Sequence, residues 1–163
     1  MKLLALDQAS KTSGYSIWED GKLIDYGKFT FDDEDVGERL VKIRKKVQSL
    51  IIDNNIDHVL MEDIQVQNNN VSTFKTLAEV FGVIYETVTE MNIPSSAVLS
   101  VVWKSAVGVK GKRRDEQKRA AQQHVKDIYG VKATQDESDA ICIGEYYFSK
   151  ANEKREKPGF NWA

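Results

Sequence analysis

Four carboxylates stand out by where they fall. Asp7 closes the apolar run KLLALD, Glu62 closes HVLME, and Asp136 and Asp139, three positions apart, open a late helical segment. An acid that ends a buried strand is held by that strand, and in open α/β sheets the carboxyl ends of central strands are where ligands bind. Residues spaced i, i+3 share a helix face, and a first helical turn favours carboxylates through the macrodipole. Taken singly, each has an ordinary explanation: Asp7 as a turn former before QASKTSG, Glu62 as a strand end, Asp136 and Asp139 as helix-start acids. Taken as a set, they are like charges that repel unless a cation or a proton intervenes. No His or Cys cluster competes with them, so the donors are all oxygen, which suits Mg²⁺ or Mn²⁺ rather than zinc. Two such ions roughly 4 Å apart could activate a water and stabilise a leaving oxygen in phosphodiester cleavage.

The second constellation is basic. In VKGKRRDEQKR, Lys110, Lys112, Arg113 and Arg114 precede a helix whose first turns carry Lys118 and Arg119. Phosphates could there meet side-chain cations and free helix N–H groups together. A short basic run is by itself a solvated loop; it gains meaning from the acids. The formal net charge of −2 excludes a globally basic nucleic-acid coat, so an anionic partner must be met by local charge. Ser10, Thr12 and Ser13 make a hydroxyl patch without the His–acid arrangement that serine chemistry needs. His58 and His124 read as structural or exposed positions. The lone Cys142, within AICIG, cannot form an internal disulfide and reads as a buried thiol.

The elements that must position these groups follow from periodicity. The 163 residues, 41% hydrophobic and 29% charged, describe one globular domain over residues 1–150 and a charged, loosely ordered tail over 151–163. The absence of a signal peptide or of an apolar run that could span a bilayer predicts a cytoplasmic protein that does not associate with membranes. KLLALD is a buried strand, and TSGYSIWEDGKLIDYGKFTF forms two more about a hairpin turn at Asp20-Gly21. Val36, Leu40, Ile43, Val47 and Leu50 predict a helix ending near Asn54-Asn55, and HVLMED a strand. After the polar loop IQVQNNN, Val71, Phe74, Leu77, Phe81, Ile84 and Val88 predict a second helix on one apolar stripe, and SAVLSV a further strand. A third helix is expected from Asp115, as N-cap, to Tyr129 with Gly130 as its stop, and a last one over Asp136 to Lys150. The order βββαβαβαα predicts an α/β fold: a mixed five-stranded sheet flanked by helices, its first and fourth strands central.

At the acidic residues the chain resembles a known family. LALDQASKTSGYSIW is similar to the D-x-G-S-x-x-x-G-Y segment of RuvC-type Holliday junction resolvases, VLMED to their strand ending in a catalytic Glu, and DESDAICIG to their D-x-x-D-A helix. The resemblance covers about residues 1–150, with similar spacing between the blocks. It implies an RNase H-like fold, a homodimer with two active sites, and Mg²⁺-dependent paired nicking at a four-way or otherwise branched DNA junction. Carried over by position, the catalytic and metal-binding acids are Asp7, Glu62, Asp136 and Asp139, with two Mg²⁺ ions per site and Mn²⁺ as a substitute. Lys104, in a short helix, and Lys118 match the lysines that serve the active site or DNA, and the helix containing Phe74 and Phe81 matches the dimer contact. Two departures stand out: Gln8-Ala9 replaces the usual Pro-Gly, and Gln65 stands where bacterial members place an aromatic used against DNA bases. The divergence is compatible with a bacteriophage member acting in the cytoplasm of a bacterial host.

Two other classes share parts of this pattern. An actin-like sugar kinase or ATPase also begins with a strand, an acid and a Gly/Ser/Thr turn, but needs a second lobe for which 163 residues leave no room. A non-catalytic junction-binding protein would tolerate loss of the acids. Incubation with labelled four-way junction and Mg²⁺ separates the three.

Overall fold

The computed structural model describes residues 1–65 and 70–149. Strand β1 (Lys2–Asp7) organises it. Leu3 and Ala5 enter one hydrophobic cluster, Leu4 and Leu6 the other, and all four are fully buried. Successive side chains of a strand point to opposite faces, so a strand covered on both sides reads as a continuous apolar run. β2 (Thr12–Glu19) and β3 (Lys22–Thr30) pair antiparallel on one flank of β1, and β4 (His58–Glu62) and β5 (Ser95–Val98) parallel on the other, in the order β3-β2-β1-β4-β5. Asp20 (φ 49°) and Gly21 (φ 81°) are both left-handed, the two-residue turn that matches strand twist, with Glu19 opposite Lys22.

Helices α1 (Val36–Asn54) and α2 (Val71–Glu90) cover the Leu4/Leu6 face through Ile43, Val47, Val80, Ile84 and Val88. α3 (Ser100–Val107), α4 (Arg114–Tyr129) and α5 (Gln135–Tyr147) cover the other face through Trp103, Ala121, Val125, Ile141 and Ile143. Among the described residues no helix is long and apolar enough to cross a membrane.

Several expected boundaries shift. SAVLSV is not one strand: β5 stops at Val98 and α3 opens at Ser100, so a short helix is added to the order read from periodicity. α4 starts at Arg114 with Arg113 as its N-cap; Asp115 lies inside the first turn, because the Glu116 carboxylate reaches back to accept the Lys112 and Arg113 N–H groups at 3.0 and 3.4 Å. α5 begins one residue before Asp136, where Thr134 and Glu137 exchange hydrogen bonds in a capping box, and it ends at Tyr147. Lys150 and the tail over 151–163 lie outside the described residues. The α2 stripe rotates: Val80, Ile84, Thr87 and Val88 are buried, whereas Val71 is 73% exposed.

Candidate active site

Strand alternation decides where the acids face. Asp7 follows Leu3 and Ala5 in the two-residue period of β1, and Glu62 follows Leu60 in β4; all three apolar residues belong to the cluster beneath α5. Both acids therefore leave their strands on the face that α5 covers. α5 can approach because β2 has no side chain at Gly14: a Cβ there would lie 2.0 Å from the Asp136 carbonyl oxygen. The Thr134 cap then fixes where the helix begins, so that Asp136 and Asp139 sit on its first turn and a half.

These carboxylates feel one another. Burial, and then the charges of Glu62, Asp139 and Asp136, hold the Asp7 carboxyl well above the usual range, with Lys104 opposing. Asp139 is pushed up to about 7, first by burial and next by Glu62, while Lys104 and Lys118 pull it back. Glu62 is raised by burial but restrained by a hydrogen bond from the Trp103 indole and by Lys104 and Arg114. The four acids line one cleft of about 540 Å³, whose walls include Lys104, Arg114, Gln117, Lys118, Gln65 and Phe74. The Lys104 ammonium lies 5.4 Å from the centroid of the Trp103 ring and donates to Gln117 Oε1 at 3.1 Å.

Comparison with known proteins decides the family. The family model described as crossover junction endodeoxyribonuclease RuvC matches residues 3–144. This chain belongs to the RuvC family. A RuvC from Ehrlichia chaffeensis is 30% identical over 149 residues, 88% of this chain and 93% of the relative. One from Syntrophomonas wolfei is 28% identical over 148 residues, 88% of this chain and 86% of that one. The structure of T. thermophilus RuvC in complex with Holliday junction substrate superposes with a TM-score of 0.76 at 16% identity, covering 96% of both chains, so the fold is RNase H-like as expected. RuvC proteins are metal-dependent nucleases, and this member is a structure-specific DNA endonuclease.

The cleft brings together Asp7, Glu62, Asp136, Asp139, Lys104, Arg114 and Lys118. Lys110, Lys112 and Arg113 are exposed and do not line it. Phe74 lines the cleft, whereas Phe81 stacks on Tyr85 further along α2, ring centroids 6.4 Å apart. The donor set fits a hard divalent cation: its oxygens belong to carboxylates that burial first, and the charges of their neighbours next, push up at Asp7 and Asp139, a cost that a cation relieves. Among the described residues no three such side chains stand together as a ready-made metal site; what the four acids share is the lining of one cleft. Residue-level reading missed Trp103, which donates to Glu62 Oε2 at 2.8 Å, and took Gln8 only as a departure from the family pattern. The Trp103 signal is one indole in SVVWKSAV, buried although its helix is short. Gln8 carried no local signal.

Proposed function

We propose that this RuvC-family chain resolves four-way DNA junctions, and nicks related branched DNA, by metal-dependent phosphodiester hydrolysis as a homodimer. The observation that carries the reading is the convergence of four carboxylates from β1, β4 and α5 on the floor of a cleft walled by Lys104, Arg114 and Lys118. Asp7, Glu62, Asp136 and Asp139 would hold two Mg²⁺ ions, with Mn²⁺ as a substitute. Such ions, when bound, supply Lewis acidity that activates water and stabilises charge on the leaving oxygen. The residues of the chain do the rest. Held on strand ends and a capped helix, the carboxylates need little reorganisation during the reaction. Lys104, which faces three of the acids, moderates their repulsion and meets phosphate oxygens together with Arg114 and Lys118. Lys110, Lys112 and Arg113 extend the phosphate footprint outside the cleft, where they position a DNA arm without reading its sequence.

Two symmetric nicks require two sites related by the two-fold axis of the junction, so the working unit is a dimer. The α2 surface that begins at exposed Val71 and passes Phe74 to half-buried Phe81 is its contact. Residues 1–150 act as a single nuclease domain, in the cytoplasm of a bacterial cell, which is the host if the chain is phage-encoded. The test is labelled four-way junction with Mg²⁺. Paired symmetric nicks are expected; nucleotide turnover without nicking, or tight junction binding without cleavage in either Mg²⁺ or Mn²⁺, overturns the reading. Sedimentation showing only monomer at micromolar concentration, with and without junction, overturns the dimer.

A further inference from the structure

The β1–β4 ladder ends before the acids do. Its last paired residues are Leu6 and Met61, and beyond Asp7 the chain leaves the sheet for a loop held by reciprocal hydrogen bonds between Ala9 and the Ser13 hydroxyl, both at 3.0 Å. Glu62 thus pairs through its backbone only with β5, where it faces Val98. The missing side is supplied by a side chain. The Gln8 amide donates to the Glu62 carbonyl at 2.5 Å and accepts the Glu62 N–H at 3.2 Å, as a further strand residue would. Gln8 is 7% exposed, and the clamp joins positions 54 residues apart. A second buried group then acts on the carboxylate. Trp103, fully buried in α3, donates its indole N–H to Glu62 Oε2 at 2.8 Å.

We propose that Gln8 and Trp103 are positioning residues for Glu62, the amide fixing its backbone and the indole its carboxylate, so that the acid is preset to bind a divalent cation. The inference rests on the reading of Glu62 as a metal ligand. The two contacts are complementary. Without the amide, the last residue of β4 keeps only its β5 partner; without the indole, the carboxylate can rotate about its side-chain bonds. Side chains that orient a metal ligand typically change affinity about 10-fold or more when removed. A purely structural role predicts lower stability with unchanged metal affinity.

The test is Mn²⁺ binding to the full chain without DNA, read from the electron paramagnetic resonance signal of free Mn²⁺. Trp103→Phe keeps an aromatic ring, though a smaller one, and loses the donor, and Gln8→Met keeps the length and loses the amide. Each is expected to weaken Mn²⁺ binding about 10-fold, while junction affinity in EDTA stays unchanged. Glu62→Gln separates the two levels. If it loses Mn²⁺ binding while the folded Trp103→Phe and Gln8→Met variants keep wild-type affinity, the positioning role is overturned; if it leaves Mn²⁺ affinity intact, the ligand reading falls and this proposal with it. Either variant that folds by circular dichroism is enough to decide. A measurement on the unmutated chain labelled with 5-fluorotryptophan stands beside them: an indole ¹⁹F resonance is expected to shift on Mg²⁺ addition and to be unresponsive in Glu62→Gln, and no shift in the former overturns the proposal.

Discussion

The acids of the cleft come from β1, β4 and α5, elements packed into the core, whereas its cations come from α3 and from the start of α4, which follows an exposed loop. The acids are placed by strand register, by a helix cap and by backbone contact at Gly14. Arg113 and Arg114 are exposed, and Arg119 spends its guanidinium on an exposed pair with Asp115 at 3.2 Å. The difference matches what each group would do under the proposed function. Bond cleavage falls off steeply when a group moves by about 1 Å. Phosphate affinity is a sum over separate contacts, each screened by salt and each replaceable.

The sharpest way to break the comparison is Asp7→Asn. The proposed role of Asp7 as a ligand, supporting several kcal/mol of transition-state stabilisation, predicts a fall in nicking rate of about 1,000-fold or more. Junction binding is expected to persist, since the proposed phosphate contacts are made by the cations; cleavage at the wild-type rate in Mg²⁺ would remove Asp7 from the chemistry. Gly14→Ala probes the same floor through packing alone. Its Cβ would meet the Asp136 carbonyl carbon at 2.4 Å, so α5 has to move and carry Asp136 and Asp139 with it. A stability loss of about 1–3 kcal/mol in denaturant titration and a rate loss of about 100-fold are expected. A stability loss with an unaltered rate would show that the floor tolerates displacement.

Charge supplies the next test. In EDTA, the folded chain holds a proton on Asp139 up to about pH 7, whereas an unfolded aspartate releases it near 3.8. Between those values the folded state binds more protons, so stability falls as pH rises through the window and levels off above it. Melting temperatures of the metal-free protein across this range should show the decline, and Asp139→Asn should reduce it. The rim should not contribute: Lys110→Ala, Lys112→Ala and Arg113→Ala together are expected to leave the pH slope as it is.

The smallest effect belongs to single cations. Arg114→Ala is expected to flatten the dependence of log affinity on log salt by roughly 0.9, the value for one duplex phosphate contact. Changing Lys110, Lys112, Arg113 and Arg114 together should flatten it by up to four such steps. Anisotropy titrations on a four-way junction in Ca²⁺ measure this, because Ca²⁺ occupies oxygen sites under a looser geometry than Mg²⁺ demands. An unchanged slope in the fourfold variant would take the loop out of the DNA footprint.

Much of this molecule was legible in local sequence. The continuous apolar run of KLLALD, the Asp20-Gly21 turn and the helical spacing over residues 36–50 are each signals carried within a few residues, which local chemistry determines. The acids were legible for the same reason: a carboxylate ending an apolar strand departs visibly from the pattern around it. The boundaries that moved were settled by contacts that periodicity does not report. Glu116 caps its own helix from within, the start of α2 leaves Val71 of the expected stripe exposed, and β5 gives way to α3 within a run that periodicity reads as a single strand. Periodicity says that a helix has an apolar face but not how much of that face finds a neighbour. What only the tertiary structure decided is which groups meet. Trp103 reaches Glu62 across 41 residues and Gln8 across 54, and Arg114 lines the cleft while Arg113 beside it does not. Those contacts depend on strand order and helix packing, which bring distant positions together, and no residue carries that information in its own neighbourhood.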